Sequence, residues 1–277
     1  MSDGRAIGVF DSGLGGLTVV RELLRLMPAE KITYLGDTAR CPYGSRSDEV
    51  IKNFGKQDTD FLISQDIKMV IVACNTVSSV ALEAVKETIT DIPVIGVVHP
   101  GARAAVLRTA EKKIGVIGTR ATVHTESYPK AIHSLDPSIK VIQKACPLFV
   151  PLVEEGMQDS DIARTMAQRY LYRMVDIGVD CIILGCTHYP LLLETIQGTV
   201  GNRIECIDSA LWAAKEAQDI LAAVDAVSPE SSGGFEKSIF YVTDMAPRFE
   251  RSVTDFLGQT PTRVEQIHLD SFQQEPQ

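Results

Sequence analysis

Ile7-Gly8-Val9-Phe10-Asp11-Ser12-Gly13-Leu14-Gly15-Gly16 is an apolar run that ends in an acid, a hydroxyl and a glycine-rich turn, and its opening triplet returns as Ile114-Gly115-Val116. Buried parallel strands read as short continuous apolar runs, because helices cover both faces. Further runs of this kind are predicted as strands over Lys31–Leu35, Met69–Ala73, Pro93–Val98, Lys140–Ala145, Cys181–Leu184, Arg203–Ile207 and Ser238–Val242, besides Ala6–Phe10 and Lys113–Ile117. Helical spacing lies between them, for example Val50, Ile51, Phe54, Phe61 and Leu62 after the cap signal Ser47-Asp48-Glu49. Strand and helix alternate throughout, which predicts an α/β protein.

The echoed triplet divides the chain. Gly8 precedes Cys74 by 66 positions and Gly115 precedes Cys186 by 71, so each half places one cysteine just beyond a later apolar strand. The two turns read Ala73-Cys74-Asn75-Thr76 and Gly185-Cys186-Thr187-His188. Two similar lobes are expected, each a parallel-sheet α/β sandwich, with the site in the cleft between them, since open α/β sheets bind ligands beyond the carboxyl ends of their strands. The turn signal Val98-His99-Pro100-Gly101 and the strand end Ile207-Asp208 set the boundaries. Residues 1–98 and 208–277 are assigned to the first lobe and 99–207 to the second. Ser228–Gly234 reads as an exposed loop and Ser271–Gln277 as a frayed tail.

Composition excludes several classes. The 277 residues carry a net charge of −9 with no basic block, which argues against nucleic acid as a partner. No run approaches the roughly 20 apolar residues of a membrane span. Met1-Ser2-Asp3-Gly4-Arg5 lacks the apolar core of a secretion signal, so a cytoplasmic location is expected. Six cysteines are sparse for a disulfide scaffold of this length, and free thiols are the better reading.

Cys74 and Cys186 are the pair that carries chemistry. Inverting a carbon centre such as the α-carbon of a small amino acid needs a base on one face and an acid on the other. A thiol with an ordinary pKa of about 8.5 serves in either role after a small local shift. One cysteine must start as thiolate and the other as thiol, each contributing roughly 10² to 10⁴ in rate. An isolated strand-end cysteine is more often a small buried hydrophobe; matched placement in two turns reverses that preference. Cys41, Cys146, Cys181 and Cys206 lack such pairing and read as structural.

Other readings are weaker. Cys181, Cys186 and His188 fit no zinc spacing, so no metal is expected. The Gly13–Gly16 turn matches neither a dinucleotide fingerprint nor a Walker loop, although its glycines allow close approach and its amides can hold a carboxylate. Asp11 is either a helix cap or a partner of Cys74 and the substrate ammonium. His188 is either a cap histidine or the corresponding partner of Cys186. Cys41-Pro42-Tyr43-Gly44 reads as a turn whose amides and tyrosine can face a ligand, while Asn75, Thr76 and Thr187 adjoin the two thiols. Glu154 or Glu155 closes a helix end or reaches the cleft.

Together, Asp11-Ser12-Gly13-Leu14-Gly15-Gly16, Pro42-Tyr43-Gly44, Ala73-Cys74-Asn75-Thr76 and Gly185-Cys186-Thr187-His188-Tyr189-Pro190 resemble the cofactor-independent glutamate racemases of the aspartate/glutamate racemase family. The resemblance spans nearly the whole chain. It implies interconversion of L- and D-glutamate for peptidoglycan, with no cofactor. It further implies that Cys186 deprotonates the L enantiomer and Cys74 the D enantiomer. Asp11 and His188 would then assist the thiols, Glu154 would be an auxiliary, and Ser12, Tyr43, Gly44, Asn75, Thr76 and Thr187 would bind substrate. Members activated by a cell-wall precursor carry a longer N-terminal extension; six residues precede Ile7 here, so that activation is not expected. Residue reading alone leaves three rivals: a sister racemase for aspartate or a hydantoin, a non-catalytic amino-acid binder, and a thiol redox protein without a Cys-x-x-Cys pair. A homodimer is expected only because dimers are the commonest soluble assembly.

Overall fold

The computed structural model describes residues 2–245 and 249–269. The predicted tail at 271–277 lies outside the described residues. Two parallel sheets form the frame. The first contains β1 (Ala6–Asp11), β2 (Ile32–Gly36), β3 (Ile67–Val72), β4 (Val94–Gly96), β9 (Ile239–Val242) and β10 (Val264–Gln266), in the order β10-β9-β2-β1-β3-β4. The second contains β5 (Lys113–Gly118), β6 (Lys140–Ala145), β7 (Cys181–Gly185) and β8 (Glu205–Asp208), in the order β6-β5-β7-β8. Every residue of β2, β3 and β7 is buried, which is why they read as largely apolar runs, broken only by Thr33 in β2 and Lys68 in β3.

The echoed triplets occupy equivalent strands. Ile7 pairs with Ile32 on one side and Met69 on the other; Ile114 pairs with Val141 and Cys181 in the same way. In each sheet the chain leaves the central strand, adds a neighbour on one side, then crosses to the other. That crossing opens a crevice at the carboxyl ends of β1 and β3, and of β5 and β7. Cys74 and Cys186 lie immediately beyond β3 and β7.

Helices cover the sheets. The first set comprises α1 (Leu17–Leu26), α2 (Asp48–Ile63), α3 (Asn75–Val80), α4 (Leu82–Lys86) and α5 (Val98–Arg108). Then follow α6 (Arg120–His124), α7 (Ser127–Leu135), α8 (Phe149–Glu154), α9 (Asp161–Ile177), α10 (Leu193–Val200), α11 (Ser209–Ala223) and α12 (Phe249–Leu257). The buried face of α1, with Leu17, Val20, Leu23 and Leu24, packs against α11, whose inward residues Ala210, Ala213, Ala214 and Ala217 are small enough to admit a close approach. Capping sets α9: Ser160 Oγ accepts from the Ala163 amide at 3.2 Å, and Gly178 at φ 74° ends the helix.

Two local expectations are corrected. Val98-His99-Pro100-Gly101 is the first turn of α5 and not a loop. Proline there loses no helical hydrogen bond, because first-turn amides have no partner inside the helix. The edge strand β10 escaped prediction because three residues, two of them polar, show neither an apolar run nor alternation. No helix among the described residues is long and apolar enough to cross a membrane.

Candidate active site

A cavity of about 310 Å³ joins the two sheet ends. Both Cys74 and Cys186 line it, one delivered by each sheet. The predicted residues Ser12, Tyr43, Gly44, Asn75, Thr76, Glu154, Thr187 and His188 line it as well. Asp11 does not reach the wall. It is fully buried one residue behind Ser12, accepting from the Gly13 amide at 3.0 Å and from Thr187 Oγ1 at 3.4 Å.

Each thiol has its own polar neighbours. Cys74 Sγ lies 3.6 Å from Ser12 Oγ, and Cys74 stands at the N-cap of α3. Burial, and then the charge of Asp11, push this thiol up to about 12, while the Val77 amide and the Ser12 hydroxyl and amide pull it down. Cys186 Sγ faces His188 Nδ1 at 4.0 Å. Burial pushes Cys186 well up; the His188 amide opposes this, and the charges of Cys74, Asp11 and Glu154 add to it. Each site thus favours the neutral thiol. Because charge at Cys74 raises Cys186, ionising one holds the other protonated.

His188 is buried, and its other ring nitrogen lies 3.3 Å from Glu154 Oε1 at the end of α8. The Phe256 ring of α12 packs edge-on against the imidazole at a centroid distance of 5.1 Å. Imidazole, thiol and carboxylate are therefore in line, with the half-exposed Glu154 at the outer end.

The glycine turn permits the close approach that its sequence suggests, and its partner is a protein segment. A Cβ on Gly15 would lie 2.3 Å from Thr187 Oγ1 and 2.6 Å from His188 Nδ1, so the close approach it permits is that of the Cys186-Thr187-His188 turn of the second sheet. Gly44 has the same character, since its Cβ would meet Thr119 Cβ at 2.9 Å. Tyr43 lines the cavity while its hydroxyl is engaged elsewhere. Its hydroxyl donates to Asp37 and lies 3.1 Å from Asp58 Oδ2, so the phenol head is held by two buried carboxylates. Arg40 ties the same network together by bonding Asp37 and Asp58 and stacking on Phe54 at 4.0 Å.

Several wall residues were not foreseen, among them Cys41, Thr119, Arg120 and Val150. Cys41 is half-buried in the wall and not in a core. Thr119 had a signal: it follows β5 as Ser12 follows β1, and the echoed triplet already aligned those strands. Its hydroxyl meets Thr76 Oγ1 at 3.1 Å across the lobes. Cys181 lies at the far end of β7 from Cys186, buried with its thiol on the Ala105 carbonyl at 3.7 Å. Cys146 is likewise buried.

Comparison with known proteins agrees with this geometry. The family model described as Asp/Glu/Hydantoin racemase matches residues 7–217. The glutamate racemase of Enterococcus faecalis is 45% identical over 97% of this chain and 98% of its own. That of Geobacter metallireducens is 43% identical over 96% and 98%. The crystal structure of glutamate racemase from Francisella tularensis in complex with D-glutamate superposes with a TM-score of 0.91 at 38% identity, covering 97% of this chain and 99% of that one. The chain with its two thiols at matching strand ends belongs to the Asp/Glu/hydantoin racemase family.

Proposed function

We propose that this racemase interconverts L- and D-glutamate by proton transfer between Cys74 and Cys186. The observation that carries the reading is that the two thiols come from equivalent strand ends of different sheets into one cavity. In the L-to-D direction the Cys186 thiolate takes the α-proton and the Cys74 thiol delivers its own proton to the opposite face. The D-to-L direction exchanges the roles. Burial leaves both thiols neutral-leaning. The substrate ammonium brings the positive charge that offsets burial and favours one thiolate. Asp11 and His188 support the Cys74 and Cys186 sides, Asp11 acting from behind Ser12 and Thr187, and Glu154 holds His188.

Glutamate as substrate is supported by the names of the relatives, and by the D-glutamate in the Francisella structure. A dicarboxylate also suits a wall with neutral donors at Ser12, Asn75, Thr76 and Thr187 and the exposed guanidinium of Arg120. Residues 1–98 with 208–277 and residues 99–207 would form the two lobes of a cytoplasmic homodimer that needs no cofactor and supplies D-glutamate for peptidoglycan. Incubating the purified protein with L-glutamate, and separately with L-aspartate, and following optical rotation tests the substrate. Loss of rotation with aspartate alone would transfer the assignment to the sister activity.

A further inference from the structure

Asn75 follows Cys74 and lines the cavity, yet its amide is held by residues outside its own sheet. The Tyr128 hydroxyl donates to Asn75 Oδ1 at 2.6 Å. On the other side Asn75 Nδ2 donates to Ser209 Oγ at 3.5 Å, and Ser209 Oγ donates to the Leu184 carbonyl of β7 at 3.0 Å. Ser209 has a single hydroxyl proton, already directed at Leu184, so toward Asn75 it only accepts. The amide orientation follows from that proton count: oxygen to Tyr128, nitrogen to Ser209. One N–H of Nδ2 then remains for a ligand carboxylate.

Tyr128 also touches the second cysteine turn. It is fully buried, and a Cβ on Gly185, the residue before Cys186, would lie 3.1 Å from Tyr128 Cε2. One ring therefore abuts the residue after one thiol and the residue before the other. We propose that Tyr128 is a positioning residue for the racemisation, acting through Asn75 to lock the donor face of that amide toward the substrate carboxylate. Ser209 completes the lock. Without the hydroxyl, Asn75 Oδ1 loses its donor, and the long 3.5 Å contact to Ser209 alone opposes the amide turning over to present an acceptor oxygen to an anion. The inference rests on the racemase reading of the site.

A double-mutant cycle tests it, with kcat and KM measured for both enantiomers. Tyr128→Phe keeps the ring against Gly185 and should lower kcat/KM about tenfold, chiefly through KM, with an unchanged far-ultraviolet circular dichroism spectrum. In an Asn75→Ala background the same change should cost less than about twofold, because the hydroxyl then has nothing to orient. Equal losses in the two backgrounds, or no loss in the wild-type background, would overturn the proposal. Should Tyr128→Phe fail to fold, Ser209→Ala takes its place in the cycle with the same expectation. Wild-type protein inactive on glutamate but active on another amino acid would displace the substrate reading alone, and the cycle would be read on that amino acid.

Discussion

His188 Nε2 lies 3.3 Å from Glu154 Oε1, so the imidazole facing Cys186 is oriented from behind by a carboxylate at the cavity edge. His188→Asn should lower kcat/KM by about 10- to 100-fold, and Glu154→Gln, whose carboxylate is half-exposed, by less than about tenfold. Enantiomers have equal free energy, so kcat/KM must fall equally in both directions. Any asymmetry must appear in kcat and KM separately. A larger loss for Glu154→Gln than for His188→Asn, in steady-state kinetics by circular dichroism, would contradict the order of these groups.

Gly15→Ala places a methyl against Thr187 and His188. Both side chains are buried, so relieving the contact must displace the imidazole beside Cys186 or the turn that carries it. Activity is expected to fall by more than about 10²-fold, because an ångström of displacement is enough to misalign the reacting groups. Gly13→Ala meets only the Cys41 side chain and should be milder. Comparable activities in the two variants would count against this tight contact.

Asp58 should behave as a neutral acid. The Tyr43 proton is directed at Asp37, and Asp58 Oδ2 lies 3.1 Å from the same oxygen, so a proton on Asp58 completes the contact. Burial and then the charge of Asp37 push its carboxyl well above the ordinary 3.8, with Arg40 opposing. A raised carboxyl contributes stability that is fully present below pH 3.8 and is lost as pH rises through its folded pKa. Asp58→Asn, an amide in place of a neutral acid, should therefore gain on wild type as pH rises from 5 to about 8. Asp58→Ala should cost about 1 to 3 kcal/mol by leaving Tyr43 and Arg40 short of a partner. Parallel urea midpoints for wild type and Asp58→Asn across that range would refute the neutral acid.

The buried thiols predict alkaline loss of stability. Burial raises Cys74, Cys181 and Cys206 above the ordinary thiol range to about 12. A raised thiol keeps its contribution below pH 9 and loses it as pH climbs toward 12. Each such thiol should add a slope of about 1.4 kcal/mol per pH unit between those limits. Cys181→Ala, distant from the cavity, should reduce the slope by one such contribution, cost about 1 to 2 kcal/mol near neutral pH, and leave racemisation intact. An unchanged alkaline slope in that variant would show that Cys181 already ionises freely.

Much of this frame was legible because its strands are buried on both faces. β7 carries no polar residue, β3 carries one, a lysine near its start that is buried in a pair with Glu30, and a cysteine turn follows each strand. The triplet shared by β1 and β5 exposed the two-lobed plan. Contacts across the lobes were not legible, since nothing local marks Thr119 for Thr76 or Tyr128 for Asn75. Asp11 and Tyr43 illustrate the same limit: their motifs adjoin the cavity, but one side chain is buried behind Ser12 and the other turns its hydroxyl toward Asp37. Pro100 misled because the same residue that breaks a helix interior is accepted in its first turn.

The two-thiol claim is tested most directly by racemising L-glutamate in deuterated water and measuring deuterium at the α-carbon of each enantiomer at low conversion. With Cys186 taking the proton and Cys74 delivering another, the D product carries deuterium while the remaining L substrate stays protiated. Product that retains the original proton, or deuterium entering both enantiomers at equal rates from the start, would contradict two opposed thiols.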